Sequence, residues 1–237
     1  AAEIMLFRFT CIQYGVALLF SVLAVWVMKK WKYGFVLSVL FSTCALGIYQ
    51  AFLPMTVALF VLVLLRQTLE GNEKISRLFL RGVYYCASIL AALVIYLLIV
   101  KITTAPYANS LDTYQGMDQM GQLNLRDLPK LVINAFVTFF TAPRYGYKII
   151  QTFMSLLYVG LGMVAIAVMG FLLVSRVRKL SNVLFAGFLC VVLPVAVNLV
   201  TVMSPDAGIS TLMMFPYVLV MILPLLAMDV LLPDEKT

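Results

Sequence analysis

Residues 33–66 read YGFVLSVLFSTCALGIYQAFLPMTVALFVLVLLR, and this stretch decides the fold. It has no charged side chain before its last residue. A helix needs ~20 residues to cross a bilayer, so this stretch has room for two spanning helices only if each is somewhat shorter than that. We therefore predict two transmembrane helices, at 33–50 and 51–65, joined by a tight turn around Tyr49. Pro54 fits the first turn of the second helix, where the N–H that proline lacks would have no partner within the helix.

The rest of the chain has the same apolar character. Of its 237 residues, 64% are hydrophobic and 11% are charged, and the mean hydropathy is +1.05. Soluble domains carry ~25% charged residues, so we predict an all-α membrane protein with one polytopic domain over residues 1–237. Because the sequence begins at Ala1 rather than Met, we expect it to be the C-terminal part of a longer protein. About seven transmembrane helices are predicted, at residues 9–28, 33–50, 51–65, 83–100, 151–174, 183–203 and 211–232.

Basic residues cluster in the short connections on one side of this predicted bundle. The positive-inside rule assigns such connections to the cytosol. The N-terminal end and the long segment 101–150 then face outward, and the C-terminus is cytosolic. Membrane orientation also accounts for the net charge of +7, so no nucleic-acid partner is expected. The ten residues are Lys29, Lys30, Lys32, Arg66, Lys74, Arg77, Arg81, Arg176, Arg178 and Lys179.

The segment 101–150 is the one long polar excursion between spans, which makes it the first place to look for function. Within it, apolar residues recur at helical spacing over about 128–142, and Pro143 ends the run. About 15 residues of helix reach only ~22 Å, which is too short to span. We therefore predict an amphipathic helix on the outer membrane surface. An eighth span at 131–150 is rejected for two reasons. It would carry the basic residues Arg144 and Lys148, and it would move the basic cluster at 176–179 to the outer side.

The first half of this excursion is rich in side chains that bind sugar hydroxyls. Carboxylates accept hydrogen bonds, amides both donate and accept, and tyrosine can stack on a sugar face. The candidates are Asp112, Tyr114, Gln115 and Asp118. A solvated loop without a ligand is the alternative, and the two aspartates lack a recognised spacing for a catalytic pair.

A second candidate group follows the amphipathic helix. Arg144, Tyr145 and Lys148 combine two cations with an aromatic ring at the predicted headgroup level, which suits a lipid phosphate or pyrophosphate. Ordinary anchoring at the membrane interface is the alternative. The chain has no histidine, the commonest general base and metal ligand. Its four cysteines are expected to be buried and unpaired. The sequence thus predicts no cofactor and shows no metal-binding residues. Whether a divalent metal takes part in the reaction is left open.

Two short motifs resemble a known family. One is GIYQ at residues 47–50, in the turn between the second and third spans, and the other is YQGMDQMG at residues 114–121, in the outer loop. With a basic loop and a span between them, they resemble the glucosyltransferase II-like polytopic membrane proteins, which are GT-C-like glycosyltransferases. The resemblance covers roughly residues 10–230. The matching residues are Tyr49, Gln50, Tyr114, Gly116, Asp118 and Gly121.

The resemblance implies transfer of a sugar, expected to be glucose, from a polyprenyl-phosphate donor to a surface polysaccharide such as O-antigen or to another envelope glycan. The reaction would occur on the outer face of the bacterial cytoplasmic membrane. An acidic general base is implied in an earlier outer loop, upstream of Ala1, with Asp118 and Asp112 as weaker candidates in this chain. Arg144 and Lys148 are hypothesised to bind the departing phosphate. A flippase or transporter of lipid-linked sugars is the alternative function, followed by a structural subunit of an envelope complex.

Overall fold

The computed structural model describes residues 11–105, 126–141 and 179–203, together with residues 157, 160–162, 164, 167–168, 171, 213, 215–219, 222–223, 225–226 and 229. Every regular element in these residues is helical. The α-helices are α1 (Cys11–Lys30), α2 (Gly34–Ile48), α3 (Leu53–Glu70), α4 (Ile75–Thr104), α5 (Leu128–Thr141), α6 (Leu180–Val197) and α7 (Val200–Met203). Short 3-10 helices lie at Gln50–Phe52 and Phe215–Val218.

Helix α3 is the central helix of the described bundle. It packs against α1, α4 and α6, and most of its residues are buried, including Leu65 and Leu69. A helix with protein on all sides is apolar all round, as this sequence is. Pro54 lies in its first turn, as predicted. Gly71 ends the helix in the left-handed conformation (φ 69°), which glycine adopts without strain.

Helices α1 and α2 form a closely packed hairpin on one side of α3. Both helices bury small side chains, such as Ala17 and Ser21 of α1 and Ser38 of α2, and small side chains let helix backbones approach closely. Gly34 begins α2 at the closed end of the hairpin. A Cβ atom there would collide with the carbonyl oxygen of Val27, so only glycine fits.

Four helices in the described residues are long and apolar enough to cross a membrane. Helix α2 is apolar but has only 15 residues, fewer than the span predicted at 33–50. The spans predicted at 151–174 and 211–232 lie largely outside the described residues, so the count of seven stays a prediction. The four helices are Cys11–Lys30, Gln50–Glu70, Ile75–Thr104 and Leu180–Val197.

Helix α4 is much longer than predicted. The span predicted at 83–100 is only its middle, because the helix has 30 residues and begins at Ile75. Basic residues near its start do not stop the helix, because arginine is itself a good helix former. Arg81 also pairs with Glu73 (3.0 Å between Nη2 and Oε2). At 1.5 Å per residue, α4 extends ~45 Å, which exceeds the ~30 Å hydrocarbon core.

Charged side chains join several helices at one end of the bundle, which we name the basic end. Arg66 at the end of α3 pairs with Asp229 (2.9 Å), a residue of the last predicted span. Arg81 of α4 donates to Gln67 of α3 (2.6 Å) and pairs with Glu73. The opposite end carries the turn between α2 and α3, and we name it the turn end. The assignment of the basic end to the cytosol stays a prediction.

All four cysteines are free, as predicted, but their expected burial is wrong, since none is fully buried inside the protein. Cys11 and Cys86 are exposed, and the other two are half-buried. A bilayer is itself apolar, so a membrane helix does not need to bury such residues inside the protein, and free cysteine behaves as a small hydrophobic side chain.

Candidate functional site

The turn between α2 and α3 holds two of the predicted site residues, Tyr49 and Gln50. Tyr49 has an extended backbone (φ −159°, ψ 112°), and its N–H donates to the carbonyl oxygen of Ala45 at 3.0 Å. The N–H of Phe52 donates to the carbonyl oxygen of Tyr49 at 3.1 Å, so one turn of 3-10 helix leads directly into α3. This short reversal holds both side chains at the turn end.

Gln50 is connected to α4. Its Nε2 atom donates to the hydroxyl oxygen of Tyr96 at 2.7 Å, in a partly buried setting. Since Tyr96 accepts this bond, its own hydroxyl proton is available for donation, and Gln50 also carries an amide carbonyl acceptor. The pair thus presents the two kinds of group that bind sugar hydroxyls.

Tyr49 contributes to a second feature, which we name the aromatic cavity. Its ring centroid lies 5.0 Å from that of Tyr14 in α1 and 5.9 Å from that of Phe52. Phe52 in turn lies 5.9 Å from Phe215, centroid to centroid. These rings surround a cavity of about 140 Å³. Its wall consists of Cys11, Tyr14, Gly15, Leu18, Tyr49, Phe52 and Phe215.

The size and chemistry of the aromatic cavity suit a single ring. Apolar cavities of ~150 Å³ in other proteins accept a benzene molecule, so a six-membered ring is about the largest group that this one can hold. Ligand sites are commonly lined by apolar and aromatic side chains with few polar groups. The hydroxyls of Tyr14 and Tyr49 are the polar side-chain groups in the wall. The cavity therefore offers ring faces for stacking, and Gln50, which bonds Tyr96, directly follows the wall residue Tyr49 in the sequence.

Asn198 connects α6 to the amphipathic helix. The span predicted at 183–203 is interrupted there, because α6 ends at Val197 and a turn precedes α7. The buried Asn198 side chain donates from Nδ2 to the carbonyl oxygen of Ala135 in α5 at 3.0 Å. Asn198 thus forms an interhelical hydrogen bond, as polar side chains in membrane helices commonly do. The backbone carbonyl oxygen of Asn198 accepts a hydrogen bond from the Thr201 hydroxyl at 2.8 Å, which stabilises the turn.

Helix α5 adjoins the aromatic cavity through stacked rings. Phe139 stacks on Tyr217, with centroids 5.3 Å apart, and Tyr217 shares a 3-10 helix with Phe215 of the cavity wall. Ala135 and Phe139 lie one turn apart and are both buried, so this face of α5 is docked on the bundle. The helix predicted at 128–142 is thus confirmed, while its position at the outer leaflet stays a prediction.

The remaining predicted site residues lie outside the described residues, so their geometry is not part of the site above. They are Asp112, Tyr114, Gln115, Gly116, Asp118, Gly121, Arg144, Tyr145 and Lys148. Among the residues that the structure does describe, no group of three or more His, Cys, Asp or Glu side chains could hold a metal ion.

Sequence reasoning missed four residues of the site, Tyr14, Phe52, Tyr96 and Phe215. A signal for them existed. Each is an aromatic residue near the end of a predicted span that alternation of spans assigns to the outer side, and such ends lie together in a bundle. Which rings contact one another depends on tertiary packing and cannot be read from spacing.

Comparison with known proteins gives one match. The model of a family described as glucosyl transferase GtrII matches residues 1–221. Neither a search of curated proteins nor a search of solved structures returned a match. The match covers nearly the whole sequence, and it agrees with an all-helical, apolar bundle that carries an aromatic site at one end. The chain therefore belongs to the GtrII glucosyl transferase family.

Proposed function

We propose that this protein transfers a sugar, glucose by its family, from a polyprenyl-phosphate donor to a surface polysaccharide or another envelope glycan. The reaction takes place at the turn end, on the outer face of the bacterial cytoplasmic membrane. The observation that supports this most is that the aromatic cavity and the Gln50–Tyr96 pair both lie at the turn end, opposite the basic loops. Stacking surfaces next to hydroxyl and amide groups suit a sugar ring.

The proposed reaction is a direct displacement at the anomeric carbon. A carboxylate takes the proton of the acceptor hydroxyl, and the acceptor oxygen forms the new bond to the anomeric carbon. The bond from that carbon to the phosphate oxygen breaks, and the polyprenyl phosphate leaves with both bonding electrons. Cationic side chains stabilise the charge on the departing phosphate.

The predicted excursion at 101–150 supplies the remaining groups in this proposal. Helix α4 continues past Tyr96 to Thr104, and α5 within the excursion is docked beside the Phe215–Val218 helix, which supports participation of the excursion. Asp118, or otherwise Asp112, is the candidate carboxylate. The other proposed contacts are Tyr114 and Gln115 to the sugar, and Arg144, Tyr145 and Lys148 to the phosphate.

The test is transfer of radiolabelled glucose from glucosyl polyprenyl phosphate in solubilised membranes that contain the acceptor glycan. Tyr49→Ala removes a wall of the cavity, and Gln50→Ala removes the amide that bonds Tyr96. Each is expected to lower the transfer rate by about tenfold or more, which corresponds to one lost interaction of ~1.4 kcal/mol in the transition state.

The matched control is Tyr33→Ala. Tyr33 lies at the basic end and is 70% exposed, so its loss is expected to leave the rate unchanged. Equal rates for Tyr49→Ala, Gln50→Ala and the control would show that the turn end is not the site. Movement of the labelled lipid across the bilayer without transfer of the sugar would favour a flippase instead.

A further inference from the structure

An open cleft on the surface of α4 lies at the basic end, and we name it the arginine cleft. Its volume is about 560 Å³. The residues that line it recur at spacings of three and four along the helix, so they share one face of α4. They combine two cations and a phenol with apolar side chains, and they are Arg77, Leu80, Arg81, Val83, Tyr84 and Ala87.

The charges of the arginine cleft do not balance within the protein. Glu73 accepts hydrogen bonds from Arg81 through both of its carboxylate oxygens, at 3.1 and 3.0 Å. The two other acidic residues described at the basic end both pair with Arg66. Arg77 is exposed and has no ion pair in the described part of the chain. The cleft therefore keeps one positive charge without an acidic partner.

Two of the polar side chains in the cleft are held in place by neighbouring helices. Arg81 also donates from Nη1 to the Gln67 side chain of α3 at 2.6 Å. The ring of Tyr84 packs against that of Phe35 in α2, with centroids 4.8 Å apart. Arg77 lies one turn before Arg81, and its planar guanidinium can bind two phosphate oxygens at once. An anion would thus meet one exposed cation beside a wall that is already ordered.

The position of the cleft along α4 indicates the kind of anion. Helix α4 has 30 residues and extends ~45 Å, which matches the ~40–45 Å of a bilayer with its headgroups. If α4 spans the bilayer, its first turns lie in the headgroup layer, and Arg77 lies in the first of them. Leu80, Val83 and Ala87 are all exposed and continue from there towards the hydrocarbon. A cation above an apolar wall suits a phospholipid better than a free phosphate ion.

We propose that the arginine cleft binds an anionic phospholipid of the leaflet at the basic end. The phosphate lies beside Arg77 and Arg81, and an acyl chain follows Leu80 and Ala87. Basic pockets beside transmembrane helices bind acidic lipid headgroups in other membrane proteins. This site is separate from the proposed transfer reaction, which takes place at the turn end, so neither inference depends on the other.

The experiment measures binding of phosphatidylglycerol and phosphatidylcholine, with identical acyl chains, to the purified full-length protein by native mass spectrometry. Arg77→Gln removes the unpaired charge but keeps a long polar side chain. Ala87→Phe fills the apolar part of the cleft from an exposed position. The control is Lys30→Gln, because Lys30 is also an exposed basic residue at the basic end but does not line the cleft.

We expect the wild type and the control to bind phosphatidylglycerol at least about fivefold more tightly than phosphatidylcholine, the effect of one basic residue at an anionic lipid surface. Arg77→Gln should remove this preference. Ala87→Phe should weaken binding of both lipids, because it displaces their acyl chains. Equal losses from Arg77→Gln and Lys30→Gln would overturn the inference, since they would indicate general attraction to the basic end. A preference that survives in Arg77→Gln would also overturn it.

A soluble headgroup distinguishes a lipid from a free phosphate ester. Glycerol 3-phosphate carries the same phosphate but no acyl chain, so an excess of it should not displace phosphatidylglycerol from the wild type. Displacement by glycerol 3-phosphate, together with unchanged binding by Ala87→Phe, would identify the cleft as a site for soluble phosphate esters and contradict the lipid assignment. Glucose transfer is not part of this measurement, so its outcome does not depend on the proposed function.

Discussion

At the scale of single residues, the turn end depends on polar contacts in an apolar setting. Gln50 and Tyr96 are 46 positions apart in sequence, and their hydrogen bond joins the α2–α3 turn to α4. A buried polar group without a partner costs ~1–3 kcal/mol. The same bond therefore both stabilises the turn and fixes the orientation of the amide and the hydroxyl in the proposed site.

Tyr96→Phe removes only the hydroxyl oxygen that accepts this bond. We expect it to lower the free energy of unfolding by about 0.6–1.5 kcal/mol, the range for hydrogen bonds in membrane and soluble proteins. The measurement is thermal unfolding of the purified protein in detergent. Tyr84→Phe is the control, because Tyr84 is 48% exposed on the same helix. An equal stability of the two variants would show that the Gln50–Tyr96 bond does not stabilise the fold.

Gly15 tests the aromatic cavity without removing any of its rings. It lies in the cavity wall, and a Cβ atom there meets nothing within 4 Å, so Gly15→Leu should fill the cavity without disturbing the backbone. We expect glucose transfer to fall by about tenfold or more. Gly187→Leu makes the same change in another helix, away from the site, and should retain full activity. Full activity of Gly15→Leu would exclude the cavity from the site.

At the scale of elements, docking of α5 decides whether the excursion reaches the site. The amphipathic helix contacts the bundle through Ala135 and Phe139, and the Asn198 side chain fixes its position. Its opposite face remains exposed, for example at Ile133, as expected of a helix at a membrane surface. The stability of this contact sets how firmly this part of the excursion is held on the bundle.

Asn198→Ala should release α5, because it removes the donor to the Ala135 carbonyl. The measurement uses Ala135→Cys as a reporter. Because position 135 is buried, its thiol should react slowly with a maleimide while Asn198 is present. In the double variant Ala135→Cys/Asn198→Ala, we expect the rate of maleimide labelling to rise by about tenfold. Asn182→Ala is the control, since Asn182 is also buried in α6 but lies near its first residues, far from Asn198. Equal labelling with either asparagine removed would contradict the docking role.

The helices themselves were largely predictable, because long apolar runs leave helix as the main solution in a membrane. Their ends were less so. Helix α4 begins well before the predicted start, because hydropathy marks only the apolar part of a helix and a helix of good helix formers such as arginine continues beyond it. At the interruption, Asn198 bonds Ala135 of α5, a contact 63 positions away in sequence that the sequence pattern does not record. Of the site, only Tyr49 and Gln50 followed from the sequence, since the partner rings come from other helices.

At the scale of the whole molecule, the ion pairs and the aromatic cavity lie at opposite ends of the described bundle. The basic end contains the ion pairs of Arg66 and Arg81, and the turn end contains the aromatic cavity. Surface ion pairs contribute little stability, typically less than ~1 kcal/mol each. The distribution of basic residues is therefore better explained by orientation in the membrane than by stability.

Sidedness can be measured with single cysteines in a variant whose four native cysteines are replaced by serine. Asn72→Cys lies in the connection between α3 and α4 at the basic end, and Ala105→Cys lies at the other end of α4. A membrane-impermeant maleimide added to intact cells should label only Ala105→Cys. Permeabilised cells serve as the control and should label both. Labelling of Asn72→Cys in intact cells would invert the proposed orientation.

The most direct test of the account combines activity with sidedness. Sealed vesicles of known orientation carry the protein and radiolabelled glucosyl polyprenyl phosphate, and the acceptor glycan is supplied on one side only. We expect transfer when the acceptor faces the turn end, and a loss of about tenfold or more in that transfer with Gly15→Leu. Transfer only to an acceptor at the basic end, or movement of the labelled lipid without any transfer, would contradict the account.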